Sequence, residues 1–365
     1  MKSPGLSILH VDSGREYRGG QNQLRLLLRG LARQARVRQA LLTRRNSRIA
    51  AEAAGLGLPI FPVQWRGAVD GDAVASLVRR NGSDWDLIHA HDGHAVQSVL
   101  LARGLAGGRS PVVAARRVDF APRKPSVWQR ADLVIAVSAR IRDVLVENGI
   151  DRSRVEVVHS GIEPSELEPA AGVLRAAAGA SPGELLVAAV GALVPHKDHA
   201  TFVRAAALVG ARHPSVRFAV FGEGSERKRL TRMIEELGLA DRFRLVGEVP
   251  GAARSLDDID VFVMPSREEG LGTACIEAMH AGRPVVATSA GGIGELAVDG
   301  SFDPVEPENP GALAAEIGRL VESTEARVEA GRTALAGAGR FTADAMVSGT
   351  LRCYRALSRR PWEAS

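Results

Sequence analysis

Cysteine is almost missing from this chain. Only Cys275 and Cys353 occur in 365 residues, which excludes a disulfide framework and a zinc-type cysteine cluster, and Cys275 reads as packing inside a helix pattern. Aromatic residues make up 4% of the chain and no nucleic-acid motif appears, so no nucleic-acid partner is expected. No apolar run reaches membrane length. The longest, Leu185 to Val194, suits a buried strand. The opening MKSPGLSILHVDSG has too short an apolar segment for a signal peptide, and a cytoplasmic location is expected. Short-period repeats and low-complexity tracts are also lacking. So is the dinucleotide fingerprint: Gly19-Gly20 stands without it, and Gly222-Glu223-Gly224 is followed by Arg227 where a third glycine belongs.

What is present is an alternation of short apolar runs with helical patterns, in two rounds. Leu6 to Val11 reads as a first strand, and a helix with apolar Leu24, Leu27, Leu28 and Leu31 follows Gly19-Gly20. Alternation continues to a strand over Val155 to His159. A loop rich in Pro, Glu and Ala, to about Gly179, reads as a linker. The pattern restarts at Leu185, and the length suffices for two α/β domains with full cores. Charge differs between the rounds. Residues 1–165 carry 25 Lys+Arg against 15 Asp+Glu, and the remainder 22 against 27. The basic half is suited to peripheral contact with an anionic membrane, or to an anionic acceptor.

The chemistry concentrates in Met264 to Leu296. An apolar strand ends there in the glycine turn Glu269-Gly270-Leu271-Gly272, and a helix follows from Thr273, stopped by Gly282. A second strand leads to Gly291-Gly292-Ile293-Gly294 and Glu295. Glycines that admit backbone amides, joined to a helix N-terminus, make an anion site. Glu269 and Glu277 frame it. Carboxylates beside a phosphate cradle accept hydrogen bonds from hydroxyls, so a nucleotide sugar is the ligand this pattern suits. An ordinary βα unit with solvated glutamates is the alternative. A second constellation is His89-Ala90-His91-Asp92-Gly93-His94 at a strand end. Three imidazoles without a cysteine or carboxylate cluster do not predict a metal site. His89 and His91 share one strand face, with His89 expected to pack. Asp84-Trp85-Asp86 and Asp258-Ile259-Asp260 precede their strands, on the side away from a ligand crevice, and are not expected to hold metal.

The Met264–Leu296 stretch, with its Glu-x7-Glu spacing, resembles the signature of family-four retaining glycosyltransferases of the GT-B fold. The likeness covers nearly the whole chain and is strongest from Leu185 to Leu296. It implies α/β architecture: two Rossmann-like domains facing across a cleft, with residues 1–165 on the acceptor side and 166–345 binding the nucleotide sugar. Residues 346–365 would form a helix crossing back. It implies hexosyl-type transfer from a nucleoside-diphosphate sugar to a glycan, lipid-linked or small-molecule acceptor, with no cofactor and no metal. By this resemblance His91 orients the donor sugar and Lys197, in Pro195-His196-Lys197-Asp198, meets the diphosphate. The amides of Gly270, Leu271, Gly272 and Thr273 join Lys197 there. Glu269 holds the hexose and Glu277 the ribose. Gly19 and Gly20 lie against the donor phosphates and sugar, and Gly247-Glu248 against the base. Asp92, Arg117 and Asp119 are candidates for acceptor or anion contact. Two departures stand out. Ala192 occupies the usual arginine position, for which Arg117, Arg15 or His196 could compensate, and Arg117-Val118-Asp119 replaces a usual His-acid pair. An epimerase-like enzyme on the same fold, or a non-catalytic nucleotide-sugar-binding subunit, are the rival expectations.

Overall fold

The computed structural model describes residues 5–16, 19–67, 69–80, 85–167, 172–297 and 300–358. The chain divides into two compact units. The first holds the residues up to Gly161 together with those from Ala343 onward, and the second runs from Ile162 to Thr342.

In the first unit the order is β1 (Leu6–Asp12), α1 (Gly19–Ala32), β2 (Val37–Arg44), α2 (Arg48–Gly55), β3 (Ile60–Val63), α3 (Gly71–Arg80), β4 (Leu87–Ala90) and α4 (Gly93–Ala106). It continues with β5 (Val112–Arg116), α5 (Pro125–Trp128), β6 (Leu133–Ala136), α6 (Ala139–Glu147) and β7 (Val155–Val157). The second unit contains α7 (Val173–Ala178), β8 (Leu185–Val190), α8 (His199–Arg212), β9 (Val216–Phe221), α9 (Arg227–Glu236) and β10 (Phe243–Gly247). Then come β11 (Val261–Met264), α10 (Thr273–His280), β12 (Val285–Ala287), α11 (Pro310–Glu322) and α12 (Thr324–Ala338). The chain returns to the first unit in α13 (Ala343–Leu357).

Both sheets are parallel. The strand order is β3-β2-β1-β4-β5-β6-β7 in one and β10-β9-β8-β11-β12 in the other. Each strand order therefore reverses once, between β1 and β4 and between β8 and β11. In such doubly wound sheets the crevice at the carboxyl ends beside that reversal receives the ligand. The near-continuous apolar runs follow from burial on both faces: all seven residues of β1 are buried, as are all four of β4 and of β11.

In the first unit Leu26, Leu27 and Leu31 of α1 share a core with Met346, Val347, Leu351 and Tyr354 of α13. The packing is close: a Cβ on Gly30 would stand 2.4 Å from Val347 Cγ2. The second core gathers Phe202, Phe218 and Phe243 with Val187, Val263, Leu313 and Ile317.

The stretch read as a linker is partly ordered structure. Residues 164–167 form a 3-10 turn and α7 follows, bracketed by Gly172 and Gly179, both at positive φ. Asp258 anchors it by accepting from Gly172 N at 2.6 Å and Leu174 N at 2.7 Å. Local composition could not reveal a partner 84 residues away. Asp260 likewise accepts from Leu186 N at 2.7 Å and from Arg175 at 2.8 Å, and Asp86 from Ser7 N at 2.8 Å. Asp258, Asp260 and Asp86 are thus occupied as backbone anchors. Asp84 lies outside the described residues.

Candidate functional site

The candidate site residues gather at the two strand-order reversals, and each unit arranges them differently. In the second unit, β8 ends at Val190 and its loop brings Lys197 to the reversal. From β11 the chain runs through Pro265 and Ser266 to Glu269. The Lys197 ammonium and the Glu269 carboxylate form an ion pair, with their side chains 21% and 16% exposed. Glu269 is held from two sides. Its Oε1 accepts from Gly270 N at 3.2 Å, and its carbonyl accepts from Gly292 N at 3.0 Å. The two glycine turns are therefore one structure. Arg267 secures the other flank, with Nη2 donating to Pro195 O at 2.8 Å and its backbone N to His196 O at 2.8 Å.

Helix α10 begins immediately beyond. Its N-cap is Gly272 at φ +90°, a conformation glycine adopts without strain, and no side chain caps it. A Cβ there would also stand 3.2 Å from Met264 Sδ. An uncapped helix start presents unsatisfied amides and the positive end of the helix dipole. Gly270 and Leu271 are buried and Thr273 half-buried along this turn. Glu277, a turn further into α10, is half-buried, and desolvation raises its carboxyl to about 7. Gly247 ends β10 at φ +99° with Glu248 exposed beside it, at the same carboxyl edge of the sheet. Ala192 is exposed and His196 is exposed, while His199 is buried and held near pH 4 by desolvation, with Nε2 3.2 Å from Ala192 O.

The first unit closes on itself. His91 follows β4 directly and is 4% exposed. Its Nε2 lies 3.0 Å from His10 Nδ1, Arg117 Nη2 lies 3.4 Å from its Nδ1, and Arg117 Nη1 donates to its carbonyl at 2.8 Å. His10 of β1 is the register partner of His89 of β4, and the His89 and His91 rings are 4.0 Å apart. His89 Nδ1 and the Tyr354 hydroxyl of α13 are 2.5 Å apart. Burial pushes all three imidazoles down, His10 to about 3. Their ring nitrogens come within 4.8 Å of one another. A small cavity of about 20 Å³ adjoins, lined among others by His89, Arg117, Gln23, Ser160 and Thr350.

Asp92 does not point a free carboxylate outward. It is the N-cap of α4, accepting from His94 N and Ala95 N at 3.0 Å, and it also takes Ser13 N at 2.7 Å and Ser13 Oγ at 2.5 Å. Asp12, at the end of β1, is buried. Desolvation and then the nearby Asp92 raise its carboxyl to about 6, while Gln21 Nε2 donates to it at 3.2 Å. Arg117 turns to His91 rather than to Asp119, whose charge acts instead on the neighbouring Arg116. Gly19 and Gly20 open α1, and among the described residues a Cβ on Gly20 would meet only Arg117 Cδ, at 3.9 Å. His94 and Arg15 are exposed. His10, Asp12 and Tyr354 carry no cue in the chain: nothing local marks which polar residues of a buried strand or a distant helix converge. Parity with His89 across a parallel pair would have found His10, had the strand order been known.

Two family profiles account for most of the chain. That for glycosyl transferases group 1 matches residues 173–336 and that for glycosyltransferase family 4 matches residues 17–166. The D-inositol 3-phosphate glycosyltransferase of Segniliparus rotundus is 33% identical over 289 residues, covering 75% of this chain and 61% of that protein. Its namesake in Thermomonospora curvata is 32% identical over 290 residues, covering 74% of this chain and 66% of that one. The chain thus spans somewhat under two thirds of the length of these relatives. Among solved structures, Anabaena HepE in complex with UDP and glucose superposes with a TM-score of 0.82 at 21% identity, over 96% of this chain and all of that one. Sucrose-phosphate synthase from Thermosynechococcus elongatus gives 0.77 at 19% identity, over 96% and 99%. The fold is that of the GT-B glycosyltransferases. In sequence, residues 17–166 are similar to glycosyltransferase family 4 and residues 173–336 to glycosyl transferases group 1.

Proposed function

We propose that this protein transfers a hexosyl-type group from a nucleoside-diphosphate sugar to a hydroxyl of an acceptor, with retention of configuration and without a metal. The observation that carries the reading is the uncapped start of α10 beside Lys197 and Glu269, at the reversal of the second sheet. An anion is stabilised there by amides, dipole and ammonium together. The arriving diphosphate takes Lys197 from Glu269, and the freed carboxylate accepts from hydroxyls of the hexose. Glu277 accepts from the ribose. In the reaction the bond between the anomeric carbon and the diphosphate oxygen breaks, and one to the acceptor oxygen forms on the same face. The acceptor proton passes to the departing phosphate. HepE, a solved neighbour, binds UDP-glucose, and that supports a nucleotide-sugar donor.

The acceptor class is a glycan, a lipid-linked sugar or a small polyol. The named relatives act on a phosphorylated inositol, and the excess of basic residues in the first 165 positions suits an anionic acceptor or peripheral contact with an anionic membrane. Among the described residues no helix is long and apolar enough to cross a membrane. The test is a thermal-shift screen of nucleotide sugars, since binding to the native state alone raises its stability, followed by product analysis with and without acceptor. A glycosylated acceptor supports transfer. Epimerised donor without transfer indicates the epimerase-like reading, and binding without either product a partner subunit.

A further inference from the structure

The polar cluster of the first unit contains a chain of hydrogen bonds whose direction one group determines. A guanidinium only donates. Arg117 Nη2 faces His91 Nδ1 at 3.4 Å, so that nitrogen carries no hydrogen and the hydrogen of the neutral ring resides on Nε2. His91 Nε2 is 3.0 Å from His10 Nδ1, which must then be the acceptor, with the His10 hydrogen on Nε2. Any other assignment sets two N–H groups, or two bare nitrogens, against each other inside the core. Gln39 of β2 flanks His10. Gln39 offsets part of what burial takes from the His10 pKa, although among the described residues neither His10 Nε2 nor Gln39 Oε1 meets a hydrogen bond of full geometry.

We propose that His10 is a positioning residue for the reaction: it accepts from His91 Nε2 and so fixes the tautomer, ring plane and carbonyl of His91 at the end of β4. This rests on the reading of His91 as the group that orients the donor sugar, which, with both ring nitrogens engaged, it would do through the second lone pair of its carbonyl. The geometry accounts for three features of the cluster. His10 is wholly buried on β1, its ring lies within 28° of the His91 plane, and Arg117 bonds both the ring and the carbonyl of His91. Held at Nε2 by His10 and at Nδ1 and O by Arg117, His91 has one orientation. A metal ion among the three imidazoles fits less well. It would set a divalent cation beside the Arg117 guanidinium on the same ring, and it would need the His10–His91 hydrogen bond to break.

The test uses the full chain with ¹⁵N-labelled histidine, beside His10→Asn and His10→Leu. Asn keeps an acceptor oxygen close to the position of Nδ1, and Leu keeps volume without an acceptor. In the unaltered protein the His91 ring is expected to show a single Nε2–H tautomer between pH 6 and 8. His10→Asn should keep that tautomer and lose no more than a few-fold in kcat. His10→Leu should lose the single tautomer and at least tenfold in kcat, read as nucleoside-diphosphate release from the sugar donor giving the largest thermal shift. Its affinity for the free diphosphate should stay unchanged. An Nδ1–H tautomer in the unaltered protein overturns the proposal without any variant having to fold. So does a His10→Leu protein that keeps both tautomer and kcat. Stoichiometric Zn²⁺ uptake by the unaltered protein, lost in His10→Leu, would assign the cluster to a metal and overturn it as well. The expected tautomer in a protein that binds no nucleotide sugar would instead contradict the reading of the donor.

Discussion

The helix that starts at the strand-order reversal is treated in opposite ways by the two units. In the first, α4 opens with Asp92, whose carboxylate already occupies the amides of His94 and Ala95. In the second, α10 opens with Gly272, and among the described residues no side chain occupies its first amides. The same contrast extends to the neighbours. His91 and Asp12 are buried and, like the half-buried Arg117, are bonded within their own unit, whereas Lys197 and Glu269 keep part of their side chains accessible and form an ion pair. A helix start filled by a carboxylate repels a ligand phosphate, while an empty one next to an ammonium attracts it. The second unit is therefore the one equipped for a diphosphate. The first sets its polar side chains against one another.

That asymmetry can be broken most severely at Lys197. A hydrogen bond to a charged group contributes about 1.5–3 kcal/mol, so Lys197→Ala should weaken nucleoside-diphosphate binding by roughly ten- to hundredfold or more, and turnover further, as read by calorimetry and steady-state kinetics. His91→Ala, in the other unit, should depress turnover with little change in diphosphate affinity. An equal loss of affinity in His91→Ala would erase the distinction between the units. His89→Ala should act through stability instead, since it removes the partner of the Tyr354 hydroxyl, and a lowered Tm with near-normal kcat is the expected result.

The glutamates sharpen the comparison within the second unit. Glu277→Ala should weaken donor and free diphosphate alike, because ribose contacts are similar in ground and transition states. Glu269→Gln should lower turnover yet leave diphosphate affinity unchanged or tighter, since the carboxylate that competes for Lys197 is gone. Loss of diphosphate binding in Glu269→Gln with none in Glu277→Ala would reverse the two assignments.

A smaller effect concerns pH. Glu277 titrates near 7 in the folded chain against 4.5 for an unperturbed glutamate. The folded state thus binds the extra proton between those values, and the cost of burying the ionised carboxylate is complete above pH 7 and relieved as pH falls through 7 toward 4.5. Glu277→Gln should accordingly raise Tm at pH 8 and much less at pH 5. If the ribose needs the carboxylate, diphosphate affinity should fall by up to about tenfold from pH 8 to 6, and the Gln variant should show a flatter profile. The smallest expected effect is none at all. Transfer activity should survive exhaustive chelation, and complete loss restored by Mg²⁺ or Mn²⁺ would contradict the diphosphate cradle.

Much of this was legible in the chain. The βα alternation, the glycine turns and the Glu269–Glu277 spacing are local patterns, and β5, β8 and β11 fall where the apolar runs place them. What stayed hidden depends on strand order. Nothing local says that β1 and β4 are neighbours, so His10 and Asp12 could not be set beside His91 and Arg117. The tie from Asp258 to α7 spans too many residues for composition to register, so α7 reads locally as linker. Asp92 could be read equally as a ligand group or as a cap, and its acceptance of two helix amides shows that it caps α4.

The most direct test of the central claim is calorimetric titration of the unaltered protein and of Lys197→Ala with UDP, GDP and ADP, in the presence of EDTA. The account predicts that one of the three binds the unaltered protein without metal, and that the same titration in Lys197→Ala is weakened at least tenfold. Failure of all three to bind, or an affinity indifferent to Lys197, would contradict it.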